Sequence, residues 1–381
     1  MKIAFDALPL VSDRITGIGW CEAGQTTTMA QLYPENSYTY NYFSRKDDEI
    51  KLERLNPFLK TGIKPNVAHF SGYIYRAISN FLPFPYHTFF GSDTDLTHFF
   101  NYIVPPGVKG KTVVTVHDMV YKAFPETVRA RTKYMLDTGL KASMKRADLI
   151  VTDSEFSKSE IIKYFPQHES KIRVVPCGVD LQKFSPCKDT EKIENVKKSL
   201  GIDGRYFLYL GTIEPRKNLE RLIEAYGKFA KNTNNPPKLV LAGGKGWLND
   251  NIYAKAEQLG IKQYVIFTKY VPSEDMNPLM CGAEAFVFPS IYEGFGMPPL
   301  EAMACGVPVL TSGEASLPEV TGQSAVIVDA YSPDSIAEGL DRIYRDDELR
   351  KRLSIEGLER AKQFTWEKSA SMLYNVYKEL L

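Results

Sequence analysis

The sequence predicts an α/β protein with two parallel-sheet domains, and three observations lead to this prediction. Short apolar runs alternate with longer amphipathic stretches along the chain, as in parallel sheets covered by helices. The apolar runs contain few polar residues, which is typical of strands buried on both faces. The chain has 381 residues, and at roughly 100–200 residues per domain this length predicts two domains.

Ten apolar runs are the predicted strands, four in the first half of the chain and six in the second. They cover residues 3–8, 112–117, 149–152, 172–176, 206–210, 239–242, 264–267, 285–288, 307–310 and 325–328. Residues 181–204 contain proline, glycine and many charges, a composition typical of a linker. We therefore expect a first domain at 1–180, a second at 205–365, and a last helix at 366–381.

Composition and charge argue against several classes of protein. A net charge of +1 gives no overall basic field, so nucleic acid is not an expected partner. The five cysteines include no C-x-x-C pair, which argues against a zinc site or a disulfide framework. Lys2 and Asp6 interrupt the start of the chain, where a signal peptide needs an apolar run, and no run approaches the roughly 18 residues of a membrane span. These features favour a cytoplasmic protein, free or peripheral at the inner face of the membrane.

The most specific motif is EGFGMPPLEAMACG, residues 293–306, which follows a predicted strand. Its glycines allow the backbone to approach a ligand closely, and its two prolines suit the first turn of a helix. The N-terminus of that helix would present free N–H groups to an anion or to sugar oxygens. Glu293 and Glu301 lie where carboxylates can accept hydrogen bonds from a sugar diol or a ribose diol. A tight turn followed by a solvated Glu301 is the structural alternative.

A second motif, FLYLGTIEPRKN at residues 207–218, reads as a strand, a glycine loop and the start of a helix. Arg216 can bind phosphate oxygens through two N–H groups, and Lys217 supplies a compact positive charge. Adjacent cations are usually a solvated surface pair. Cations at a helix N-terminus oppose the helix dipole, however, so a bound anion is their natural partner.

Three shorter segments hold further candidates. Gly17 and Gly19 form a glycine turn after the first strand, which alone could be an ordinary loop. His117 and Asp118 end a predicted strand, where a lone histidine is more often structural. Ser154 is predicted to cap the N-terminus of a helix, and capping is sufficient to explain it.

The string E-G-F-G-x-P-x-x-E at residues 293–301 resembles the hallmark of the retaining glycosyltransferases of family 4, which have the GT-B fold. The resemblance covers nearly the whole chain, is strongest in the second half and is poor at residues 20–110. It implies two Rossmann-like domains that face each other across a cleft, with the last helix crossing back to the first domain. It also implies a nucleotide-sugar donor as substrate, no metal and no other cofactor.

In that family the first glutamate contacts the donor sugar, the second holds the ribose hydroxyls, and the adjacent cations bind the diphosphate. The resemblance therefore implies catalytic roles for Glu293, Arg216 and Lys217, and for His117, which the family places beside the donor sugar. The donor-binding set that it implies is Gly17, Gly19, Arg216, Lys217, Lys245, Tyr270, Val271, Glu293, Gly294, Phe295, Gly296, Met297 and Glu301.

The resemblance also assigns Asp118 and Ser154 to the acceptor side. One departure is Trp20, which stands where the family has a small polar or basic residue after the glycine loop. This departure bears on the role of the loop toward the acceptor.

The motifs look most like those of bacterial mannosyltransferases that use GDP-mannose. The expected reaction is therefore transfer of mannose to a growing, lipid-linked surface glycan. A UDP-sugar donor carrying glucose or N-acetylglucosamine would use the same residues and is an alternative. A non-catalytic sugar-nucleotide-binding protein is a second alternative, and the presence of all four charged residues of the two motifs, Arg216, Lys217, Glu293 and Glu301, argues against it. A glycan phosphorylase is a third, and it would need a lysine that anchors pyridoxal phosphate.

Residues 70–102 are unusually aromatic, with eleven Phe or Tyr side chains. Packing in the core and in loops is one explanation. The other is a surface for a lipid-linked acceptor or for peripheral contact with a membrane, where aromatic side chains are well suited.

Overall fold

The computed structural model describes residues 1–79, 84–244, 246 and 250–381. These residues form two compact units. Unit 1 consists of Met1–Ala123, Ala130–Gly178 and Thr365–Leu381, and unit 2 consists of Phe124–Arg129 and Val179–Phe364. The short segment Phe124–Arg129 and the last helix thus each belong to a different unit from the residues directly before them.

Unit 1 contains a seven-stranded sheet in which every described pairing is parallel. Its strands are β1 (Lys2–Asp6), β2 (Ser37–Ser44), β3 (Lys64–His69), β4 (Leu96–Phe99), β5 (Lys111–Thr115), β6 (Leu149–Thr152) and β7 (Ile172–Val174). The order across the sheet is β3-β2-β1-β4-β5-β6-β7. The direction of winding therefore reverses between β1 and β4, and we call this position the unit 1 switch point.

Seven helices connect these strands. They are α1 (Gly17–Leu32), α2 (Asp48–Leu59), α3 (Gly72–Ile78), α4 (His87–Phe90), α5 (Val120–Ala123), α6 (Ala130–Arg146) and α7 (Glu155–Tyr164). The apolar side chains of β1 and its neighbours form the core, and Phe5 and Leu96 within it are completely buried. Burial of such side chains is the main stabilising contribution, at about 1.5–3 kcal/mol for each.

Unit 2 contains a six-stranded parallel sheet in the order β10-β9-β8-β11-β12-β13. Its strands are β8 (Tyr206–Leu210), β9 (Lys238–Ala242), β10 (Val265–Lys269), β11 (Ala285–Phe288), β12 (Val309–Ser312) and β13 (Ala325–Val328). Its helices are α8 (Thr190–Ser199), α9 (Leu219–Lys231), α10 (Asp250–Gln258), α11 (Ser273–Cys281), α12 (Met297–Ala304), α13 (Leu317–Thr321), α14 (Pro333–Arg345) and α15 (Asp347–Ala361). The winding reverses between β8 and β11, the unit 2 switch point.

The last helix, α16 (Trp366–Lys378), belongs to unit 1 and packs mainly on α1. Thr365 caps its N-terminus by accepting a hydrogen bond from the backbone N–H of Lys368. Leu373 and Tyr377 are completely buried against the unit 1 core. Met372 is 43% exposed, because it lies on the opposite face of the helix.

All ten predicted strands are present, and the ends of several differ by a few residues. The three strands without a prediction are β2, β3 and β4. In β2 polar and aromatic residues alternate, and β3 is an edge strand that contains Pro65. The four residues of β4 lie inside the aromatic-rich segment, so apolar runs do not mark any of the three.

The aromatic-rich segment contributes mainly to the core of unit 1. Tyr75, Tyr86, Phe99 and Phe100 are each at most 3% exposed, whereas Phe84 is 46% exposed. Packing thus explains these four side chains. Within the part of the chain that the structure describes, no helix is both long and apolar enough to cross a membrane.

Candidate active site

The principal candidate site lies at the unit 2 switch point, where the loops after β8 and β11 meet. In open parallel sheets, ligands bind outside the carboxyl ends of the strands at such a point. The backbone N–H of Ile291 donates to the carbonyl of Arg216 at 2.9 Å, which joins the two loops directly. Asn218 strengthens this connection, because its side-chain amide donates to the carbonyls of Pro289 and Ala330.

Arg216 and Lys217 lie in a short 3₁₀ turn, Pro215–Lys217, and not in the helix whose start they were predicted to form. The helix α9 begins only at Leu219. Asn218 separates the turn from the helix because its backbone is left-handed, with φ of 63°, a conformation that Asn adopts more readily than most residues. The turn points both cations toward the loop after β11.

Glu293 receives a cation on each of its carboxylate oxygens. The Nζ of Lys217 donates to Oε1 at 2.6 Å, and the Nη1 of Arg216 donates to Oε2 at 2.7 Å. A second carboxylate, that of Glu214, contacts the Nε of Arg216 at 2.7 Å. Glu293, Lys217 and Glu214 are each at most 7% exposed. We call these four side chains the ion cluster.

Charge controls the protonation of the ion cluster. Burial opposes ionisation of Glu293, but attraction to Arg216 and Lys217 outweighs burial and lowers the pKa of Glu293 to about 2. The pKa of Lys217 is lowered by burial and by neighbouring Arg216, while the two glutamates oppose this shift. At neutral pH Glu293 is therefore ionised, although it is almost entirely removed from water.

The segment from Glu293 to α12 is held in place by one buried serine. Ser316 donates from its hydroxyl, shared between the carbonyls of Glu293 at 2.9 Å and Phe295 at 2.6 Å. Gly296 is the N-cap residue of α12 and has φ of 122°, a value that strains any residue with a side chain. Met297 then begins the helix, and the prolines in its first turn confirm the predicted helix start.

Glu301 lies in the second turn of α12, on the same motif as Glu293. Burial raises its pKa to about 7, and Lys183 partly offsets this effect. Among the residues that the structure describes, none donates a hydrogen bond to this carboxylate. Glu301 is half-buried, so its carboxylate is accessible and is suited to accept hydrogen bonds from hydroxyl groups of a ligand.

The remaining donor-side predictions lie on neighbouring loops of unit 2. Gly243 directly follows β9 and packs against the backbone of Gly211. A Cβ on Gly243 would be 1.8 Å from the carbonyl oxygen of Gly211, so only glycine fits there. Lys245 lies outside the described residues. After β10, Tyr270 is 59% exposed and Val271 is 1% exposed, so Tyr270 is accessible to a ligand and Val271 is not.

In unit 1, His117 lies in the loop after β5 and is fully engaged. Its Nδ1 is 2.6 Å from Oδ2 of Asp153, and its Nε2 is 2.8 Å from the carbonyl oxygen of Phe100. Both partners are acceptors, so both ring nitrogens must donate. Burial opposes the charged form, but the charge and hydrogen bond of Asp153 raise the pKa of His117 to about 9. The ring is therefore an imidazolium at neutral pH.

The other predicted site residues of unit 1 follow the strands β1, β5 and β6 in the sequence. Gly17 and Gly19 lie in the first turn of α1 and not in a separate loop. A Cβ on Gly19 would be 2.7 Å from the side chain of Ile15, so close packing explains this glycine. Asp118 accepts a hydrogen bond from the N–H of Val120 at 3.1 Å. Ser154 caps α7 by accepting from the N–H of Ser157 at 3.0 Å, which confirms the predicted cap.

Three buried residues, Cys21, Asp153 and Cys177, bring potential metal ligands within 4.8 Å of one another. The two thiols are hydrogen-bonded to each other at 2.9 Å. This bond and burial raise the pKa of Cys177 well above its usual value. Because a metal binds the thiolate and not the thiol, this shift makes Cys177 a poor metal ligand.

Sequence reasoning missed three residues that organise these sites: Glu214, Ser316 and Asp153. Glu214 is two residues before Arg216. In an extended segment, side chains two positions apart lie on the same face, and this spacing could have indicated the contact. Ser316 and Asp153 are distant in sequence from the residues that they contact, and only the fold brings them together.

Comparison with known proteins agrees with this architecture. The family model "Glycosyl transferases group 1" matches residues 192–360, and the model "Glycosyltransferase Family 4" matches residues 38–183. The O-antigen chain mannosyltransferase B of Escherichia coli is 37% identical over 283 residues, 74% of this chain and 73% of that protein. The serotype-specific mannosyltransferase WbdA of Escherichia coli is 28% identical over 72% of this chain but only 34% of its own length.

Among solved structures, Anabaena HepE in complex with UDP and glucose aligns over 100% of both chains with a TM-score of 0.76 and 17% sequence identity. At that identity the match shows the fold alone. The fold, the two family models and the mannosyltransferase relative agree with one another. The chain therefore has the GT-B fold and belongs to glycosyltransferase family 4.

Proposed function

We propose that this glycosyltransferase transfers mannose from GDP-mannose to a growing, lipid-linked glycan with retention of the anomeric configuration and without a metal ion. The observation that carries the proposal is the arrangement at the unit 2 switch point. There the ion cluster of Glu214, Arg216, Lys217 and Glu293 lies on the loops after β8 and β11, and the helix α12 that follows carries a half-buried Glu301 to which no described residue donates a hydrogen bond.

Arg216 and Lys217 would bind the diphosphate of the donor. Lys217 is buried and Arg216 is half-buried, and electrostatic stabilisation of a departing diphosphate is stronger in such a setting than in water. The two side chains would therefore neutralise the leaving group, which is the role of a bound metal ion in metal-dependent enzymes. Without a ligand, Glu293 and Glu214 balance these cations, so the positive charge is held in position before the donor arrives.

Glu293 would also accept hydrogen bonds from hydroxyl groups of the donor sugar as the diphosphate takes over part of its contact with the cations. Glu301 would hold the two ribose hydroxyls. With a pKa of about 7, Glu301 is only partly ionised in the free protein at neutral pH, and donation from two hydroxyls would favour its ionised form. The N–H groups at the start of α12 would donate to the sugar or phosphate oxygens.

For the chemical step we propose displacement on one face of the sugar. The bond from the anomeric carbon to the phosphate oxygen breaks, and the bond to the acceptor hydroxyl oxygen forms on the same side. The proton of that hydroxyl passes to the departing phosphate oxygen, so no separate carboxylate base is needed. The imidazolium of His117 would add positive charge near the donor sugar.

The identity of the sugar and of the acceptor is supported by the relatives. A mannosyltransferase of O-antigen chains is 37% identical over most of both chains, and this supports mannose and a polysaccharide acceptor. The lipid link and a location at the inner face of the membrane are further parts of the proposal, because such chains are commonly assembled on membrane carriers.

A thermal-shift panel tests the donor assignment. GDP-mannose, GDP, UDP-glucose and UDP-N-acetylglucosamine would be added to the wild type, to Glu301→Gln and to the control Glu338→Gln, which alters an exposed carboxylate on α14. We expect GDP-mannose to stabilise the wild type and the control but not Glu301→Gln. A rise in melting temperature with UDP-glucose and none with GDP-mannose would contradict the proposed base and sugar of the donor and indicate a UDP-sugar instead. No shift with any nucleotide sugar would contradict the proposed function.

A further inference from the structure

Three of the five cysteines lie together in unit 2, although they are far apart in the sequence. Cys281 is the last residue of α11, Cys305 is the C-cap residue of α12, and Cys187 lies in the segment before α8. Asn277 contacts two of them, because its amide nitrogen is 3.6 Å from Sγ of Cys305 and its amide oxygen is 3.9 Å from Sγ of Cys281. We call the three cysteines the thiol cluster.

Cys281 is a member of the thiol cluster that a small reagent can reach. It is half-buried, as is Cys187, whereas Cys305 is buried. The backbone N–H of Cys187 donates to the Cys281 sulfur at 3.3 Å, and the thiol of Cys305 donates to the same sulfur. Donors directed at a sulfur favour its thiolate form.

These two donors control the protonation of Cys281. The hydrogen bond from Cys305 has the largest effect and, together with the N–H of Cys187, lowers the pKa of Cys281 to about 7, although burial opposes the shift. The same hydrogen bond and burial raise the pKa of Cys305 well above its usual value. At neutral pH Cys281 is therefore partly a thiolate beside a protonated Cys305. An accessible thiolate next to a second thiol is the arrangement of cysteines that respond to oxidants.

The two cysteines of unit 1 provide a contrast within the same chain. Cys21 and Cys177 also contact each other, at 2.9 Å, but each is at most 3% exposed. Their hydrogen bond and burial raise the pKa of Cys177 well above its usual value. Since the thiolate and not the thiol is the nucleophile, we expect this pair to react more slowly than Cys281.

We propose that Cys281 is a site of reversible oxidation by hydrogen peroxide and that Cys305 is its resolving cysteine. The thiolate sulfur of Cys281 attacks one peroxide oxygen, the O–O bond breaks, and the departing hydroxide takes up a proton to become water. Cys281 is then a sulfenic acid. The sulfur of Cys305 attacks the Cys281 sulfur, its proton passes to the departing hydroxyl, and a second water leaves. Two thiols are thus oxidised to one disulfide by two electrons, and one peroxide is reduced to two molecules of water.

Such a disulfide would alter the end of the helix that carries Glu301. The N–H of Cys305 donates to the carbonyl of Glu301 at 3.1 Å. The Cys281 sulfur lies 3.4 Å from the carbonyl oxygen of Ser185, and a bond to Cys305 would draw it away from this segment. Lys183, two residues before Ser185, interacts electrostatically with Glu301. Oxidation should therefore weaken binding of the nucleotide sugar, and this consequence rests on the proposed function, whereas the oxidation itself does not.

Peptide mapping by mass spectrometry tests the oxidation directly. Reduced protein would be treated with a small excess of hydrogen peroxide, blocked with iodoacetamide and digested. The variants are Cys281→Ser and Cys305→Ser, and the matched control is Cys187→Ser, which removes the neighbouring half-buried thiol but keeps its backbone N–H. We expect a link between Cys281 and Cys305 in the wild type and the control, and dithiothreitol should reverse it.

The two variants should separate the two steps of the reaction. Cys305→Ser should retain a sulfenic acid on Cys281 that dimedone labels, and Cys281→Ser should give neither the label nor the link. The proposal would be overturned if Cys281 of the treated wild type stayed a free thiol, if it were linked to Cys187, or if Cys21 and Cys177 were oxidised first. Because the wild type alone shows the link, this result does not depend on whether a variant folds.

Titration calorimetry with the nucleotide sugar that stabilises the reduced wild type measures the consequence for the donor. We expect oxidation to raise Kd by about threefold or more in the wild type and in Cys187→Ser and to leave it unchanged in Cys281→Ser. Dithiothreitol should restore the original Kd. A disulfide with an unchanged Kd would overturn the effect on the donor. If no nucleotide sugar binds the reduced protein, the proposed function fails, and the peptide map still decides whether Cys281 is the oxidation site.

Discussion

At the unit 2 switch point the Glu293 carboxylate has a cation on each oxygen, whereas at the unit 1 switch point the Asp6 carboxylate has a single cation at 3.7 Å. Both carboxylates are 7% exposed, and both follow from the same sheet topology. Their protonation differs accordingly, because the pKa of Glu293 is lowered to about 2 and burial raises the pKa of Asp6 to about 6.

This difference shows two settings for a buried carboxylate. The ion cluster pairs its charges without a ligand, so its cations are held in place, and preorganised charge of this kind favours catalysis. Asp6 has no hydrogen-bond donor among the described residues, which is unfavourable for a buried carboxylate.

The largest expected effect is on catalysis at the complete site. Replacing Lys217 with Met removes one of the two cations opposite the diphosphate, and we expect kcat to fall by about 10²–10³. Steady-state rates with the stabilising nucleotide sugar measure this loss. Lys228→Met, which alters a lysine paired with an exposed Asp334, is the matched control, and equal kcat values for the two variants would contradict the role of Lys217.

A second paired charge, His117, should have a large effect on stability. Replacement by Gln leaves Asp153 buried without a charged partner, and the shift from 6.5 to about 9 corresponds to about 3 kcal/mol. Since the folded pKa is the higher one, this contribution is complete below 6.5 and is lost as the pH rises through 9. Urea unfolding at about pH 6 and about pH 10 measures it. A constant difference between wild type and variant across that interval would exclude the ion pair as its source.

The comparison of the two carboxylates themselves predicts opposite signs. Glu293→Gln should lower the free energy of unfolding by about 3 kcal/mol at neutral pH, and this contribution is lost as the pH falls from 4.5 through 2. Asp6→Asn should leave it unchanged or raise it by about 1 kcal/mol, because the carboxylate has no hydrogen bond to lose. Chemical denaturation of both variants provides the measurement. Destabilisation of similar size in both variants would contradict the distinction between a paired Glu293 and an unpaired Asp6.

The smallest expected effect is that of a chelator. If Arg216 and Lys217 neutralise the leaving group, EDTA should leave the transfer rate unchanged, and added Mg²⁺ or Mn²⁺ should not raise it. Loss of activity in EDTA that Mn²⁺ restores would show that the two cations are not sufficient.

Much of unit 2 and of its site could be predicted from the sequence, because its strands are continuous apolar runs and its motif combines glycine, proline and glutamate at fixed positions. The contact between Glu293 and Lys217 could not be predicted in the same way. It arises because β8 and β11 are neighbours across the switch point. The order of strands in a sheet cannot be predicted from the residues of the individual strands.

Unit 1 was less predictable for physical reasons that particular residues show. In β2, Asn41 and Ser44 are buried at 2% and 1% exposure, and neighbouring side chains satisfy them: Asn66 of β3 donates to Asn41, and Ser44 donates to Asp47. Burial of this kind contradicts the apolar pattern expected of a strand. The environment of Asp6 likewise depends on α3 and α6, which are distant in sequence.

Titration calorimetry with GDP-mannose tests the central claim most directly, that the ion cluster and Glu301 hold the donor. The wild type, Lys217→Met, Glu301→Gln and the control Glu338→Gln would be compared under the same conditions. We predict that the control binds as the wild type does and that each of the other two variants raises Kd by about tenfold or more. Unchanged Kd values in both Lys217→Met and Glu301→Gln would contradict the claim.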